Sequence, residues 1–253
     1  MSGKGPVVLL TDFGWDVYVG VMKEVILSAC PTAQVIDLAH HITPQNVREA
    51  AWFLMVSYPC FPQGSVFVAV VDPGVGSARK ALAVEAGGYY FVGPDNGLLY
   101  PAAANAGVKR VVELEIPEGA SLTFHGRDVF APAAARLARG TPFADLGRPG
   151  TLTVRLDFYL SGREGEVVTV DRFGNVITNL PPLPGRRSYK VTALRNENAY
   201  FGSELPCFAT YAEAPEDVLF LITGSCGTLE LSVKDGSAAS RLRAKVADGV
   251  IIE

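Results

Sequence analysis

Two short apolar runs in this chain break directly into aspartate. Val7-Val8-Leu9-Leu10 leads into Thr11-Asp12-Phe13-Gly14, and Val66–Val71 leads into Asp72-Pro73-Gly74. Runs of this length, rich in β-branched residues and lacking alternation, fit strands buried on both faces. After the first comes a helical pattern. Val17, Val21, Val25 and Ala29 form one stripe, with Tyr18, Met22 and Ile26 beside it. Asp16 is placed to cap that helix and Pro31 to end it. Strands that alternate with helices build an α/β layer with a mostly parallel sheet. Such sheets bind ligands beyond the carboxyl ends of their strands, where Asp12 and Asp72 both stand.

The alternation continues. Gln34–Leu38 reads as a strand and Asn46–Tyr58 as a helix capped by Asn46. Ala81–Glu85 and Tyr89–Val92 read as a strand pair across the Gly87-Gly88 turn, and Val111–Glu115 as a further strand. Ala131–Arg139 is an Ala-rich helix closed by Gly140. Gly, Pro and Ser then cluster between Leu146 and Gly165, and the pattern changes. Glu166–Val170, Val176–Asn179, Tyr189–Val191, Val218–Ile222 and Thr228–Val233 are short strands, with no long helix before Ala238. The expected organisation is an α/β domain over residues 1–150, a linker over 151–163, and an all-β, barrel-like domain over 164–253.

A net charge of −4 and the absence of any basic run argue against nucleic acid or an anionic membrane as partner. Only 19% of residues are charged, so a largely neutral surface invites burial between copies. The four cysteines form no C-x-x-C pair and stand at no zinc-finger spacing. Three of them lie among apolar neighbours and read as core thiols of a reducing compartment. Met1–Pro6 has no signal-peptide pattern, and no apolar run reaches the length of a membrane span. The expectation is a cytoplasmic protein.

Several polar residues sit where chemistry can occur. Asp12 can accept two hydrogen bonds from vicinal ribose hydroxyls, or serve only as a turn or capping residue. The Asp72-Pro73-Gly74-Val75-Gly76 loop lacks the Lys-Ser/Thr of a triphosphate-binding loop. Arg79 follows it and can fold back onto Asp72, as a loop-closing ion pair or as part of a site. His125, flanked by Gly126 and charged residues, suits a polar site better than a core. His40 and His41 are adjacent on extended chain, point to opposite sides, and do not suggest a metal. In the second half, Asp171-Arg172-Phe173-Gly174-Asn175 reads as a hairpin turn. Phe173 there could stack on a flat ring, with the amides of Asn175 and Asn179 nearby.

Taken together these motifs resemble one family. Thr11-Asp12-Phe13-Gly14, Asp72-Pro73-Gly74-Val75-Gly76 with Arg79, Gly93-Pro94-Asp95-Asn96-Gly97-Leu98-Leu99, Thr123-Phe124-His125-Gly126-Arg127-Asp128, Asp171-Arg172-Phe173-Gly174-Asn175 and Gly224-Ser225-Cys226-Gly227-Thr228-Leu229-Glu230 stand in the order and spacing of the S-adenosyl-L-methionine (SAM) hydroxide adenosyltransferases. These SAM hydrolases are relatives of the fluorinases and chlorinases. The resemblance spans nearly the whole chain. It implies an α/β domain followed by a β-barrel, and a homotrimer with active sites between subunits. It also implies that Asp72, Arg79 and His125 position a water. Asp12 would hold the ribose hydroxyls and Asp171 would meet the methionine ammonium. Phe173 and Asn175 would contact the adenosine. Phe13, Asn96, Ser225 and Glu230, which stand in the matched motifs, would be further substrate-binding residues.

The implied reaction is hydrolysis of SAM to adenosine and L-methionine by displacement at the ribose C5′. Methionine leaves as a neutral thioether, so no general acid is needed. An aligned nucleophile in a dry site contributes about 7–11 kcal/mol in the best-oriented cases. SAM is the substrate, and no cofactor or metal is expected. Two other functions compete with hydrolysis. A halide adenosyltransferase would have to place an anion beside the Asp72 carboxylate, whereas the halogenating relatives carry a different residue there and a hydroxyl residue at the Gly126 position. A non-catalytic SAM- or adenosine-binding protein would have no need of the Asp72, Arg79 and His125 set. Which of those three takes the water's proton is left open.

Overall fold

Val7–Thr11 (β1) and Val66–Val70 (β3) lie side by side and parallel, Val7 opposite Val66 and Thr11 opposite Val70. Asp12 and Asp72 therefore leave the sheet at the same edge. The computed structural model describes residues 5–253 and divides into two units between Asp157 and Phe158.

In the first unit, Val35–Ala39 (β2), Ala81–Ala86 (β4), Tyr89–Pro94 (β5), Val108–Leu114 (β6) and Gly147–Pro149 (β7) complete a seven-stranded sheet of order β2-β1-β3-β5-β4-β6-β7. Burial on both faces explains the continuous apolar runs. Val7 and Leu9 face a core with Met22 and Ile26 of Tyr18–Ala29 (α1) and the alanines of Ala131–Arg139 (α4). Val8 and Leu10 face the opposite core with Ala50 and Leu54 of Val47–Ser57 (α2) and Ala102 and Ala103 of Tyr100–Ala106 (α3). Each fully buried Val or Leu side chain is worth about 1.5–3 kcal/mol of transfer free energy, so this double layer fixes the strand ends firmly.

In the second unit, Glu164–Val170 (β8), Val176–Thr178 (β9), Ser188–Arg195 (β10), Asn198–Phe208 (β11), Leu219–Thr223 (β12), Leu229–Val233 (β13) and Gly249–Ile252 (β14) form a closed barrel, β10-β11-β12-β13-β9-β8-β14. Strand β14 pairs with both β8 and β10, which leaves no open edge. Ala238–Leu242 (α5) packs beside β13.

The expected architecture is present, with corrections in detail. The sheet is mixed rather than mostly parallel. Strands β2, β1, β3 and β5 run parallel, and the Gly87-Gly88 hairpin reverses β4, after which β6 and β7 are antiparallel. Helix α1 begins at Tyr18, not Asp16, and no side chain caps it. Its buried stripe is Val19, Met22 and Ile26, while Val17 is exposed. Only Cys30 is buried; Cys60 and Cys226 are exposed. The segment after β7 is tied to the first unit. Buried Asp95 accepts hydrogen bonds from the Thr153 amide and hydroxyl and from the Val154 amide. No helix among the described residues is long and apolar enough to cross a membrane.

Candidate active site

The loop leaving β3 is built to bring Arg79 back over Asp72. Val75 donates its amide to the Asp72 carbonyl, and Ser77 donates its amide and its hydroxyl to the Gly74 carbonyl. Gly76 has φ +76, and a Cβ there would lie 2.3 Å from the Leu122 carbonyl oxygen. Only glycine lets this loop press so closely on the segment that carries His125. Asn96 secures the root of the loop by donating to the Val71 carbonyl at 2.8 Å, while its own carbonyl accepts from the Leu98 amide.

Three side chains converge as a result. Arg79 donates from Nε to Asp72 Oδ1 at 3.0 Å and from Nη2 to Asp72 Oδ2. The same Nη2 donates to His125 Nδ1 at 2.8 Å. The Asp72 and Arg79 side chains are 5% and 9% exposed, so the pair is nearly buried. A guanidinium has donors only. Nδ1 of His125 is therefore an acceptor, and a neutral His125 carries its proton on Nε2. Burial and then the Arg79 charge hold the His125 pKa below the usual imidazole value, in keeping with a neutral ring. Nε2 is buried and has no hydrogen-bond partner among the described residues. His125 is positioned by the turn of π-helix, Gly126–Phe130, that runs into α4. Such turns are frequent at functional sites.

A cavity of about 410 Å³ opens at this edge of the sheet, lined by Asp12, Phe13, Asp72, Phe124 and His125 among others. The Phe13 and Phe124 rings meet edge-on at 5.9 Å, and both contact Tyr18. Asp12 accepts a hydrogen bond on Oδ2 from the Gln45 amide at 2.8 Å, and Gln45 adopts φ +65 to deliver it. Asp16, expected as a helix cap, lines the cavity instead. Gln45 lines it too. It was missed because nothing in a glutamine side chain signals a backbone contact.

Asn96 does not line this cavity, and its side-chain amide is bound to the Val71 backbone. In the second unit Asp171 closes its turn by accepting from the Phe173 and Asn175 amides, both at 2.9 Å, and from Asn175 Nδ2 at 2.8 Å. Asn175 Nδ2 also reaches the Tyr211 hydroxyl at 3.5 Å, and that hydroxyl donates to Glu230 Oε2 at 3.2 Å. Sequence reasoning missed Tyr211, whose place in the network comes only from barrel closure. Glu230 is buried, and burial, followed by the nearby Asp171 charge, raises its carboxyl pKa. Its Oε1 lies 1.6 Å from where a Cβ on residue 224 would be, so Gly224 makes its room. Phe173 is 74% exposed, and Ser225 is exposed beside the Gly224 turn. No group of His, Cys, Asp and Glu among the described residues is arranged to hold a metal ion.

Comparison with known proteins gives a consistent picture. Residues 7–147 match the model of the SAM hydroxide adenosyltransferase N-terminal domain, and residues 165–251 that of the C-terminal domain. The (R)-S-adenosyl-L-methionine hydrolase of Thermus thermophilus is 43% identical over 95% of this chain and 96% of that protein. The protein of the same name from Salinispora arenicola is 44% identical over 92% of this chain and 91% of that protein. Fluorinases are more distant: that of Nocardia brasiliensis is 26% identical over 85% of each chain. Among solved structures, that of an uncharacterized conserved protein from Thermotoga maritima has a TM-score of 0.89 and 34% identity, covering 98% of this chain and all of that one.

Proposed function

The chain belongs to the SAM hydroxide adenosyltransferase family, and on that footing we propose that it hydrolyses S-adenosyl-L-methionine to adenosine and L-methionine. The observation that carries the proposal is the convergence of Asp72, Arg79 and His125 beside a cavity that Asp12 also lines. Relatives at 43% and 44% identity are named for hydrolysis of the (R) form, and this enzyme accepts that sulfonium epimer as well.

Water attacks C5′ and methionine departs as a thioether. Asp12 holds the ribose hydroxyls with the carboxylate that Gln45 orients. Arg79 fixes the plane of Asp72 through two donated bonds and engages His125 through its Nη2. With that lone pair occupied, the ring is a donor through Nε2–H rather than a base. His125 therefore donates to the water oxygen, and Asp72 is left to accept the water's proton. The buried, unpartnered Nε2 supports this division of roles, because an unmet buried donor costs about 1–3 kcal/mol unless something completes it. A carboxylate at this position also disfavours halide by like-charge repulsion.

The second unit of a neighbouring copy supplies the other contacts. Asp171 and Glu230 form an anionic pair suited to the methionine ammonium, with Ser225 in the adjacent turn. Phe173 and Asn175 meet the adenosine. The working form is a cytoplasmic homotrimer with its sites between subunits. The exposure of Trp15 at 95%, together with Val17, Leu122 and Phe173, supports burial between copies. SAM enters as the substrate, and the proposed displacement calls on no cofactor.

The test is turnover in ¹⁸O-water, with and without fluoride or chloride, followed by mass analysis of the nucleoside. Adenosine labelled at the 5′ oxygen is expected in every arm. A halogenated nucleoside as main product, or no conversion of either epimer, would overturn the proposal.

A further inference from the structure

A second ordered network lies directly behind Asp12. Thr11, the last residue of β1, is completely buried. Its hydroxyl oxygen accepts the Phe13 amide at 3.2 Å and lies 2.9 Å from His40 Nδ1. His40 Nε2 lies 2.9 Å from Asp37 Oδ1, and Asp37 Oδ2 accepts from Lys23 Nζ at 2.6 Å. Asp37 is held below the usual carboxylate range: its partial burial acts the other way, and the Lys23 and His40 contacts outweigh it. In the neutral ring with its N–H on Nε2, toward the Asp37 carboxylate, Nδ1 accepts a hydrogen bond from the Thr11 hydroxyl.

The order acid, imidazole, hydroxyl is that of a nucleophilic triad. Complete burial rules Thr11 out as a nucleophile, so the network needs another use. His40 grips the chain on both sides of Asp12. Its ring binds Thr11 on one side, and its carbonyl accepts the Gly14 amide at 2.7 Å on the other. Five residues after His40, the Gln45 amide binds Asp12 itself.

We propose that His40, oriented by Asp37, is a positioning residue for Asp12: through Thr11 it fixes how the Asp12 carboxylate faces the cavity, and so sets how well the site separates ribose from 2′-deoxyribose. This rests on Asp12 being the acceptor for the ribose hydroxyls. A residue that only stabilised the loop would change melting temperature and leave this discrimination alone.

The experiment is calorimetric binding of adenosine and of 2′-deoxyadenosine to the full-length parent, Asp12→Ala, His40→Ala and His40→Asn proteins. The parent prefers adenosine and Asp12→Ala loses the preference. His40→Ala loses about two- to tenfold of it, the scale of one neutral hydrogen bond. His40→Asn, whose Oδ1 can still accept a hydrogen bond from the Thr11 hydroxyl, recovers most of it. If Asp12→Ala loses the preference while His40→Ala keeps the parent's, or if His40→Asn is no better than His40→Ala, the positioning role is overturned. If Asp12→Ala keeps the preference, the ribose assignment itself fails. Should His40→Ala not fold, Asp37→Asn takes its place. That variant is expected to lose part of the preference, and keeping all of it would overturn the role.

Discussion

Replacing Arg79 by lysine keeps the charge and removes the fork. Three of the four bonds the guanidinium donates hold Asp72 and His125: Nε to Asp72 Oδ1 at 3.0 Å, Nη2 to Asp72 Oδ2, and Nη2 to His125 Nδ1 at 2.8 Å; the fourth runs from Nη1 to the Lys80 carbonyl. A lysine ammonium on an unforked stem can engage Asp72 or His125 from one point but cannot hold the plane of both. Severing a buried pair outright costs about 3–5 kcal/mol. Here the charge stays, so the expected loss is about 2–3 kcal/mol, from two hydrogen bonds of which one is to a charged group. For a chain of this size that is a fall in Tm of roughly 4–12 °C. The effect on rate should be larger than the effect on binding. Arg79 does not line the cavity, so KM should change little, while misplacement of the acid and imidazole by about 1 Å costs on the order of 100-fold in kcat. Adenosine release measured by chromatography over a range of SAM concentrations, alongside a circular dichroism melt, separates the two. The double variant with His125→Ala should lose less than the product of the single losses, because the two share one bond. A folded Arg79→Lys protein with kcat within about threefold of the parent would show that the fork has no part in the chemistry.

Three other outcomes follow from the geometry. Burial and Arg79 lower the His125 pKa, so the unfolded chain binds that proton more readily than the folded one. The associated stability is complete above about pH 6.5 and is lost as pH falls through the lower folded value, so Tm should drop with acid less in His125→Asn than in the parent. Glu230 has the opposite sign. Its raised carboxyl pKa means stability is lost as pH rises through the folded value, so Glu230→Gln should melt no lower than the parent at alkaline pH while binding SAM more weakly and adenosine unchanged. A lower Tm, or an unchanged SAM affinity by calorimetry, would count against it. Gly76→Ala places a Cβ against the Leu122 carbonyl at φ +76 and should cost about 1–3 kcal/mol along with most of the activity, checked by melting and steady-state rates.

Much of the scaffold was legible because local and tertiary demands agree. The uninterrupted apolar runs of β1 and β3 read as buried strands, and the structure covers both their faces with helices. Asn46 announces α2, and its side chain accepts the Glu49 amide. Gly140 announces the end of α4, where it takes φ +96. Other features lacked a local signal. Strand β11 is mostly exposed and contains Gly202 and Pro206, so it shows no alternation. Asp16 looks like a cap in sequence, yet its amide closes a turn onto the Phe13 carbonyl and the cap position of α1 falls at Val17, whose side chain cannot cap. In the site, the motifs pointed to Asp72, Arg79 and His125, and the structure brings all three within hydrogen-bonding distance. The contacts of Gln45, His40 and Tyr211 come from a backbone amide, from side chains met only in the folded sheet, and from barrel closure, which no single residue type encodes.

The most direct measurement is a crystal structure of the protein with its product adenosine bound. The nucleoside's 5′ oxygen is the atom that entered as water, so it should lie within hydrogen-bonding distance of the Asp72 carboxylate and the His125 imidazole, with the ribose hydroxyls on Asp12. A nucleoside whose 5′ end points away from Asp72 and His125 would show that these side chains do not deliver the attacking water.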